Sequence, residues 1–193
     1  MKNDLFSIGP FTVHGYGLMI AIGVLSAYYM VEYRAKKKQM DWEKVFPLTV
    51  WSVLGGFLGS KILYLLTRLP DILANPVLLG SSIKDGFVVY GGIIGGILTA
   101  WIYCKCTKWN FWKIFDIAMP AVAMAQGFGR IGCLLAGCCY GIELDPANPI
   151  GIVFHNSAYA PNDVALLPTQ IISSVLDFAN CFVLLALSKK LKT

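Results

Sequence analysis

Residues 11–31 read FTVHGYGLMIAIGVLSAYYMV, an uncharged run long enough to cross a lipid bilayer. A transmembrane helix needs about 20 mostly apolar residues, because each residue rises only about 1.5 Å along the helix axis. A second run, residues 87–104, is also free of charge and slightly shorter. The two runs predict that the chain is embedded in a membrane.

The composition of the whole chain supports the same conclusion. Of its 193 residues, 56% are hydrophobic and only 14% are charged, whereas soluble domains carry roughly 25% charged residues. Three further apolar segments, residues 45–66, 114–139 and 164–187, carry only one or two charges each. We therefore predict an all-α integral membrane protein with five transmembrane helices, folded as a single membrane domain over residues 1–193.

Positive charges are unevenly distributed among the connecting segments. They are frequent after the first, third and fifth apolar segments, as Arg34, Lys36, Lys37, Lys38, Lys44, Lys105, Lys108, Lys113, Lys189, Lys190 and Lys192. Cytoplasmic loops of membrane proteins collect Lys and Arg, so we predict an outward N-terminus and a cytoplasmic C-terminus. The net charge of +5 then reflects topology or anionic headgroups, and nucleic-acid binding is not predicted.

Residues 126–141, QGFGRIGCLLAGCCYG, place a full positive charge inside an apolar segment. An ionisable residue in hydrocarbon is costly, so Arg130 is a functional candidate by default. Its planar guanidinium suits phosphate. Glycines beside it, including Gly129 and Gly132, leave room for a phosphate to approach the guanidinium and the backbone amides. Glycine pairs four residues apart elsewhere, such as Gly55 with Gly59, predict close packing of helices.

Polar residues from four apolar segments are expected at one depth, in the outer half of the membrane. They are His14, Tyr16, Lys61, Tyr64, Tyr90, Arg130 and Cys133. On the fourth segment Gln126 shares a helix face with Arg130, and on the last segment Gln170 shares one with Asp177. Asp177 is the carboxylate expected to offset Arg130 or Lys61. The residues alone predict an intramembrane pocket for an anionic phospholipid headgroup.

Six cysteines divide into two groups by position. Cys104, Cys106 and Cys181 are expected to pack as small apolar residues. Cys133, Cys138 and Cys139 lie near the predicted outer face, beside a cation that stabilises thiolate. Two alternatives stay open for them: a disulfide using Cys138 or Cys139, and a thiolate nucleophile at Cys133 or Cys138. A metal site is not predicted, because no histidine follows at ligand spacing. No cofactor is predicted either.

At these residues the chain resembles the prolipoprotein diacylglyceryl transferase family. The matching pieces are HGYGLM at residues 14–19, residues 55–64 (family G-x-x-x-G-A-R-x-x-Y), residues 90–95 (family H-G-G-L-I-G), residues 120–141 and PTQ at residues 168–170. The resemblance implies an enzyme of the bacterial plasma membrane. It implies that the diacylglyceryl group of phosphatidylglycerol passes to the cysteine thiol of a lipoprotein precursor, with release of glycerol phosphate.

The phosphate-binding half of the family's site has counterparts in this sequence. Arg130 matches the arginine of the family signature G-R-x-G-N-F-x-N-x-E-x-x-G, so the resemblance implies that it holds the phosphate. Tyr16 matches a tyrosine of the first span that belongs to the site. Lys61 replaces a family arginine and keeps the positive charge. His14 begins the first matching piece and is a candidate base or a headgroup-facing residue.

The other half of the family's site departs from the pattern. Tyr90 stands at the position of a family histidine, Cys133 at a signature asparagine and Cys138 at a signature glutamate. The chain ends at Thr193, before the last spans and second essential arginine of the family, so the resemblance predicts a divergent, C-terminally shortened member.

Three functions follow from the sequence. The first is transfer of a diacylglyceryl group from phosphatidylglycerol, assisted by Tyr90 or a cysteine thiolate. The second is a transferase in which Cys133 or Cys138 carries an acyl or glyceryl group covalently and delivers it to a different acceptor. The third is a non-catalytic phospholipid-binding protein in which Arg130 only grips the headgroup.

Overall fold

The computed structural model describes residues 4–8, 11–75, 80, 83 and 86–190; Lys192 and Thr193 lie outside this part. Within it, five helices are long and apolar enough to cross a membrane. They are α1 (Gly15–Lys37), α2 (Val45–Thr67), α4 (Val89–Cys106), α5 (Phe111–Ala136) and α6 (Thr169–Lys190). A 3₁₀ turn, Trp42–Lys44, leads into α2, and a short helix, α3 (Leu69–Ala74), follows it. The predicted all-α membrane fold is confirmed, and the orientation of its termini stays a prediction.

The helix ends differ from the predicted boundaries for local reasons. Helix α1 begins at Gly15, because Phe11–His14 (β2) pairs antiparallel with Asp4–Ile8 (β1). It continues to Lys37, since charged residues at a membrane surface remain compatible with helix. Helix α6 begins at Thr169, five residues later than predicted, because Ala165–Leu166 (β4) pairs with Ile152–Val153 (β3).

By its internal contacts the chain divides into two compact units. The first unit comprises residues 1–34 and 116–193, and the second comprises residues 35–115. Helices α1 and α5 each contribute to both. The prediction of a single membrane domain over the whole chain stays a prediction.

In the second unit, α2 and α4 pack through glycines. A Cβ added at Gly59 would overlap the carbonyl oxygen of Gly91 and lie 2.9 Å from the Cα of Gly95. A Cβ at Gly95 would in turn overlap the carbonyl oxygen of Gly55. The two backbones therefore touch directly, which is the close approach that the four-residue spacing predicted.

A small apolar cluster lies in the same unit. Leu48 of α2, Cys104 of α4 and Ile114 are buried together, and Cys104 is 0% exposed. Cys104 thus packs as the small apolar residue expected from the sequence. Because the cluster draws on both α2 and α4, it depends on their packing.

In the first unit, α5 contacts both of the other long helices, α1 and α6. Gly132 of α5 faces α1, where its Cβ position lies 3.1 Å from the ring of Tyr16. On the α6 side, the hydroxyl of Ser174 donates to the carbonyl of Gly127 at 3.0 Å. The ring of Phe178 covers the same glycine. Small residues on α5 therefore admit a neighbour on each side.

The connection between α5 and α6 is folded, although its sequence shows only turn signals. Strands β3 and β4 pair, and Phe154 and Leu166 are each 1% exposed in a cluster that includes Leu134 of α5. On the exposed side of this connection, His155 Nδ1 lies 2.6 Å from Asp163 Oδ1. This connection keeps the segment after α5 packed against the segment before α6.

Candidate functional site

Arg130 lies on α5 and is half-buried. Among the described residues, no hydrogen-bond or ion-pair partner for it is found. The adjacent Gly129 faces open space, since a Cβ there would meet no atom within 4 Å. The guanidinium is a permanently charged, planar group of donors, which suits an oxyanion from outside the protein.

The neighbouring glycines have different roles. The Cβ positions of Gly127 and Gly132 lie against Phe178 at 3.0 Å and Tyr16 at 3.1 Å. Open space is therefore found at Gly129, whereas Gly132 lets α1 approach α5. Gln126, also predicted to bind the headgroup, is exposed on α5.

Asp177 of α6 lies within electrostatic range of Arg130. Its Oδ2 atom is buried and has no hydrogen-bond partner within the described part of the chain. The carboxylate and the guanidinium thus interact electrostatically without a hydrogen bond between them. The role assigned to Asp177 from the sequence stays a prediction.

Three cysteines converge where α5 ends. The Sγ atoms of Cys133, Cys138 and Cys139 all lie within 4.8 Å of one another, and we call this group the thiol triad. Helix α5 stops at Ala136 rather than at residue 139, because Gly137 has a φ of 74° and turns the chain back. The amide of Cys138 then donates to the carbonyl of Cys133 at 3.0 Å. All three cysteines are free thiols in the structure.

The start of α6 fixes this turn from the other side. Gln170 donates its Nε2 hydrogen to the carbonyl of Cys138 at 2.8 Å, and Thr169 donates its hydroxyl to the carbonyl of Cys139 at 2.7 Å. Gln170 is 1% exposed, and its Oε1 has no partner among the described residues. The sequence marked Gln170 as supporting and missed Thr169, whose contact spans 30 positions and has no local signal.

One side chain outside the triad, Tyr16, and the burial of the thiols affect the chemistry of the triad. The phenol of Tyr16, predicted to belong to the site, lies within electrostatic range of all three thiols. Burial raises the pKa of the Cys138 thiol, and neighbouring Cys139 adds to the rise. An unassisted Cys138 is therefore largely protonated at neutral pH, which works against the thiolate nucleophile that the sequence suggested. His14 is exposed at the end of β2.

Lys61 and Tyr90 belong to the second unit. The ammonium of Lys61 donates to the carbonyl of Gly86 at 3.1 Å and lies 4.7 Å from the ring centroid of Phe87. Tyr90 is 72% exposed on α4. The phosphate-binding role of Lys61 and the assisting role of Tyr90 stay predictions.

Gly137→Ala is expected to lower the free energy of unfolding by about 2 kcal/mol. A left-handed backbone costs a non-glycine residue roughly 1–2 kcal/mol, and the added Cβ would also overlap the Ser157 hydroxyl. The measurement is denaturant unfolding in detergent, followed by circular dichroism. Gly129→Ala is the matched control, because it adds the same methyl group to open space. Equal stability of both variants would contradict the strain assigned to Gly137.

Comparisons of this chain with a family model and with individual proteins point to the same family. A family model described as prolipoprotein diacylglyceryl transferase matches residues 3–193. A phosphatidylglycerol–prolipoprotein diacylglyceryl transferase of Clostridium tetani is 44% identical over 191 residues, covering 98% of this chain and 75% of the relative. A relative of the same name, numbered 2, from Clostridium perfringens is 42% identical, covering 93% and 69%. One from Enterobacter sp. is 36% identical, covering 86% and 57%.

Proposed function

Because the chain belongs to the prolipoprotein diacylglyceryl transferase family, we propose that it moves the diacylglyceryl group of phosphatidylglycerol to the cysteine thiol of a lipoprotein precursor. Glycerol phosphate is the leaving group. The chain is a multi-pass protein of the bacterial plasma membrane. We place its N-terminus outside, where lysine and arginine are sparse.

The observation that carries the proposal is the guanidinium of Arg130, for which no hydrogen bond is found within the described residues. It lies in an apolar helix, one residue after Gly129, which faces open space, and Asp177 is a carboxylate within electrostatic range of it. A cation in that setting that makes no hydrogen bond to an anion is costly, which favours the binding of an external anion. The phosphodiester of phosphatidylglycerol supplies that anion at membrane depth, with its acyl chains in the surrounding hydrocarbon.

A direct transfer assay tests this function. Purified protein in liposomes that contain acyl-labelled phosphatidylglycerol is mixed with a lipobox peptide. We expect label to move to the peptide with an equal amount of glycerol phosphate released. The matched control peptide has serine in place of cysteine and stays unlabelled. Lipid that is bound but never consumed would reject the transferase and favour the non-catalytic lipid-binding alternative.

A further inference from the structure

We propose that the thiol triad of Cys133, Cys138 and Cys139 binds a zinc ion whose open fourth position takes the acceptor cysteine as thiolate. This inference rests on the proposed function for the identity of the acceptor. The sequence argued against a metal because no histidine follows at ligand spacing. The structure supplies three sulfur ligands instead, by turning the chain at the end of α5.

The separations of the sulfur atoms suit zinc. Zinc–thiolate bonds are about 2.3 Å long, so three sulfurs on a tetrahedral ion lie about 3.8 Å apart. The triad already holds its Sγ atoms within 4.8 Å of one another. To bind the ion, the sulfur atoms therefore need to move by only about 1 Å, which rotation of the side chains can supply. Three thiolates this close repel one another, and a divalent cation offsets that repulsion.

The number of ligands points to a reactive site. Among the residues that the structure describes, no histidine or carboxylate joins the triad to give a fourth ligand. Structural zinc sites have four protein ligands, whereas catalytic sites have three and keep one position open. Cys139 is exposed, whereas Cys133 and Cys138 are partly buried, so an external molecule can reach the group at Cys139.

The surrounding hydrogen bonds keep the ligands in place. The carbonyls of Cys138 and Cys139 accept hydrogen bonds from Gln170 and Thr169 of α6. The amide of Cys138 is bound to the carbonyl of Cys133. Such outer contacts orient the ligands of metal sites and lower the cost of assembling them. Sulfur ligands of this kind select zinc over calcium or magnesium.

The chemistry of the proposed reaction explains why a metal is useful here. The acceptor thiol loses its proton to water when its sulfur binds the ion, since metal ligation deprotonates a thiol. The sulfur then attacks the glyceryl carbon that carries the phosphate oxygen. A C–S bond forms, the C–O bond breaks, and its electron pair leaves on glycerol phosphate. The product is an uncharged thioether, a weaker ligand, and it dissociates.

The phosphate and thiolate positions are adjacent in the chain. Arg130 and Cys133 are three residues apart on α5, a rise of about 4.5 Å along the helix. The guanidinium can therefore hold the leaving phosphate while the acceptor sulfur is held one helical turn away. In this arrangement the triad replaces a general base, because the ion itself removes the need for one.

Cobalt substitution tests the site independently of activity. The full-length protein is purified under reducing conditions, stripped with a chelator and titrated with Co²⁺. We expect one equivalent to produce sulfur-to-cobalt charge-transfer absorption. Lipobox peptide should then raise this band by about one third, as the sulfur ligands increase from three to four, and the serine peptide should not. A band of the same intensity in Cys139→Ser, or no band in the wild type, overturns the inference.

Controls separate this inference from the proposed function. Cys106→Ser removes an exposed thiol outside the triad and is expected to leave the cobalt spectrum unchanged. Chelated protein should lose transfer and regain it with Zn²⁺. Transfer at full rate without metal overturns the zinc site and leaves the transferase intact. A peptide-responsive cobalt spectrum without any transfer supports the site and overturns the proposed function.

Discussion

Replacing Arg130 with lysine is expected to lower kcat/KM for phosphatidylglycerol about 100-fold, and replacing it with glutamine about 1,000-fold. Lysine keeps the charge and loses the planar two-point contact with phosphate, while glutamine loses the charge as well. Hydrogen bonds to charged groups contribute about 1.5–3 kcal/mol, and about 1.4 kcal/mol corresponds to tenfold in rate. The measurement is steady-state transfer of labelled lipid to the lipobox peptide.

The loss is expected in kcat as much as in kcat/KM. The phosphodiester carries one negative charge, and the leaving monoester gains a second as the C–O bond breaks. The Arg130 guanidinium therefore binds the transition state more strongly than the substrate, and such an interaction lowers both parameters when it is removed. A rise in KM with unchanged kcat would instead limit Arg130 to substrate binding.

Arg68→Lys is the matched control for the same exchange. Arg68 follows α2, its side chain is 54% exposed, and it pairs with Asp71 at 3.2 Å. Exposed ion pairs contribute little to stability, so this variant should keep both its fold and its activity. Wild-type transfer by both Arg130 variants would contradict the phosphate role of Arg130.

The number of membrane helices was predictable, and their ends were not. Uncharged runs such as residues 11–31 follow from the cost of placing charge in hydrocarbon, which acts on every residue of a span. Helix ends depend on single contacts. Helix α5 ends because Gly137 is left-handed, and α6 begins after a strand that needs Ile152–Val153 as its partner. Hydropathy does not report either feature.

In the candidate site, too, one feature was predictable from the sequence and another was not. Arg130 was identifiable because a charge in an apolar segment is costly wherever its partners lie. The thiol triad was not, because its convergence needs the left-handed Gly137 and a hydrogen bond from Gln170, 32 positions beyond Cys138. From the spacing alone, the cysteines could either form a disulfide or supply a thiolate nucleophile. The folded chain brings a third thiol, Cys139, to the other two.

Gly59→Ala is expected to destabilise the second unit by about 3 kcal/mol, the upper range for overpacking. Its Cβ would overlap the carbonyl oxygen of Gly91, a backbone atom that cannot rotate aside. The α2 and α4 helices must then separate, and helices in a membrane are held mainly by such close packing. Separation exposes Cys104, which is 0% exposed in the cluster with Leu48. Maleimide labelling of Cys104, followed by mass spectrometry, should accelerate about 100-fold, since about 1.4 kcal/mol is tenfold.

Gly96→Ala is the control because it adds the same methyl group to the same pair of helices, on α4, the helix that packs against α2. The nearest atom to its Cβ position is the carbonyl oxygen of Ser52 at 3.5 Å, an ordinary contact. Alanine also favours helix over glycine by about 0.5–1 kcal/mol. Labelling of Cys104 in Gly96→Ala should therefore be as slow as in the wild type, or slower. If Gly59→Ala and Gly96→Ala label at the same rate, the direct backbone contact between α2 and α4 does not stabilise the second unit.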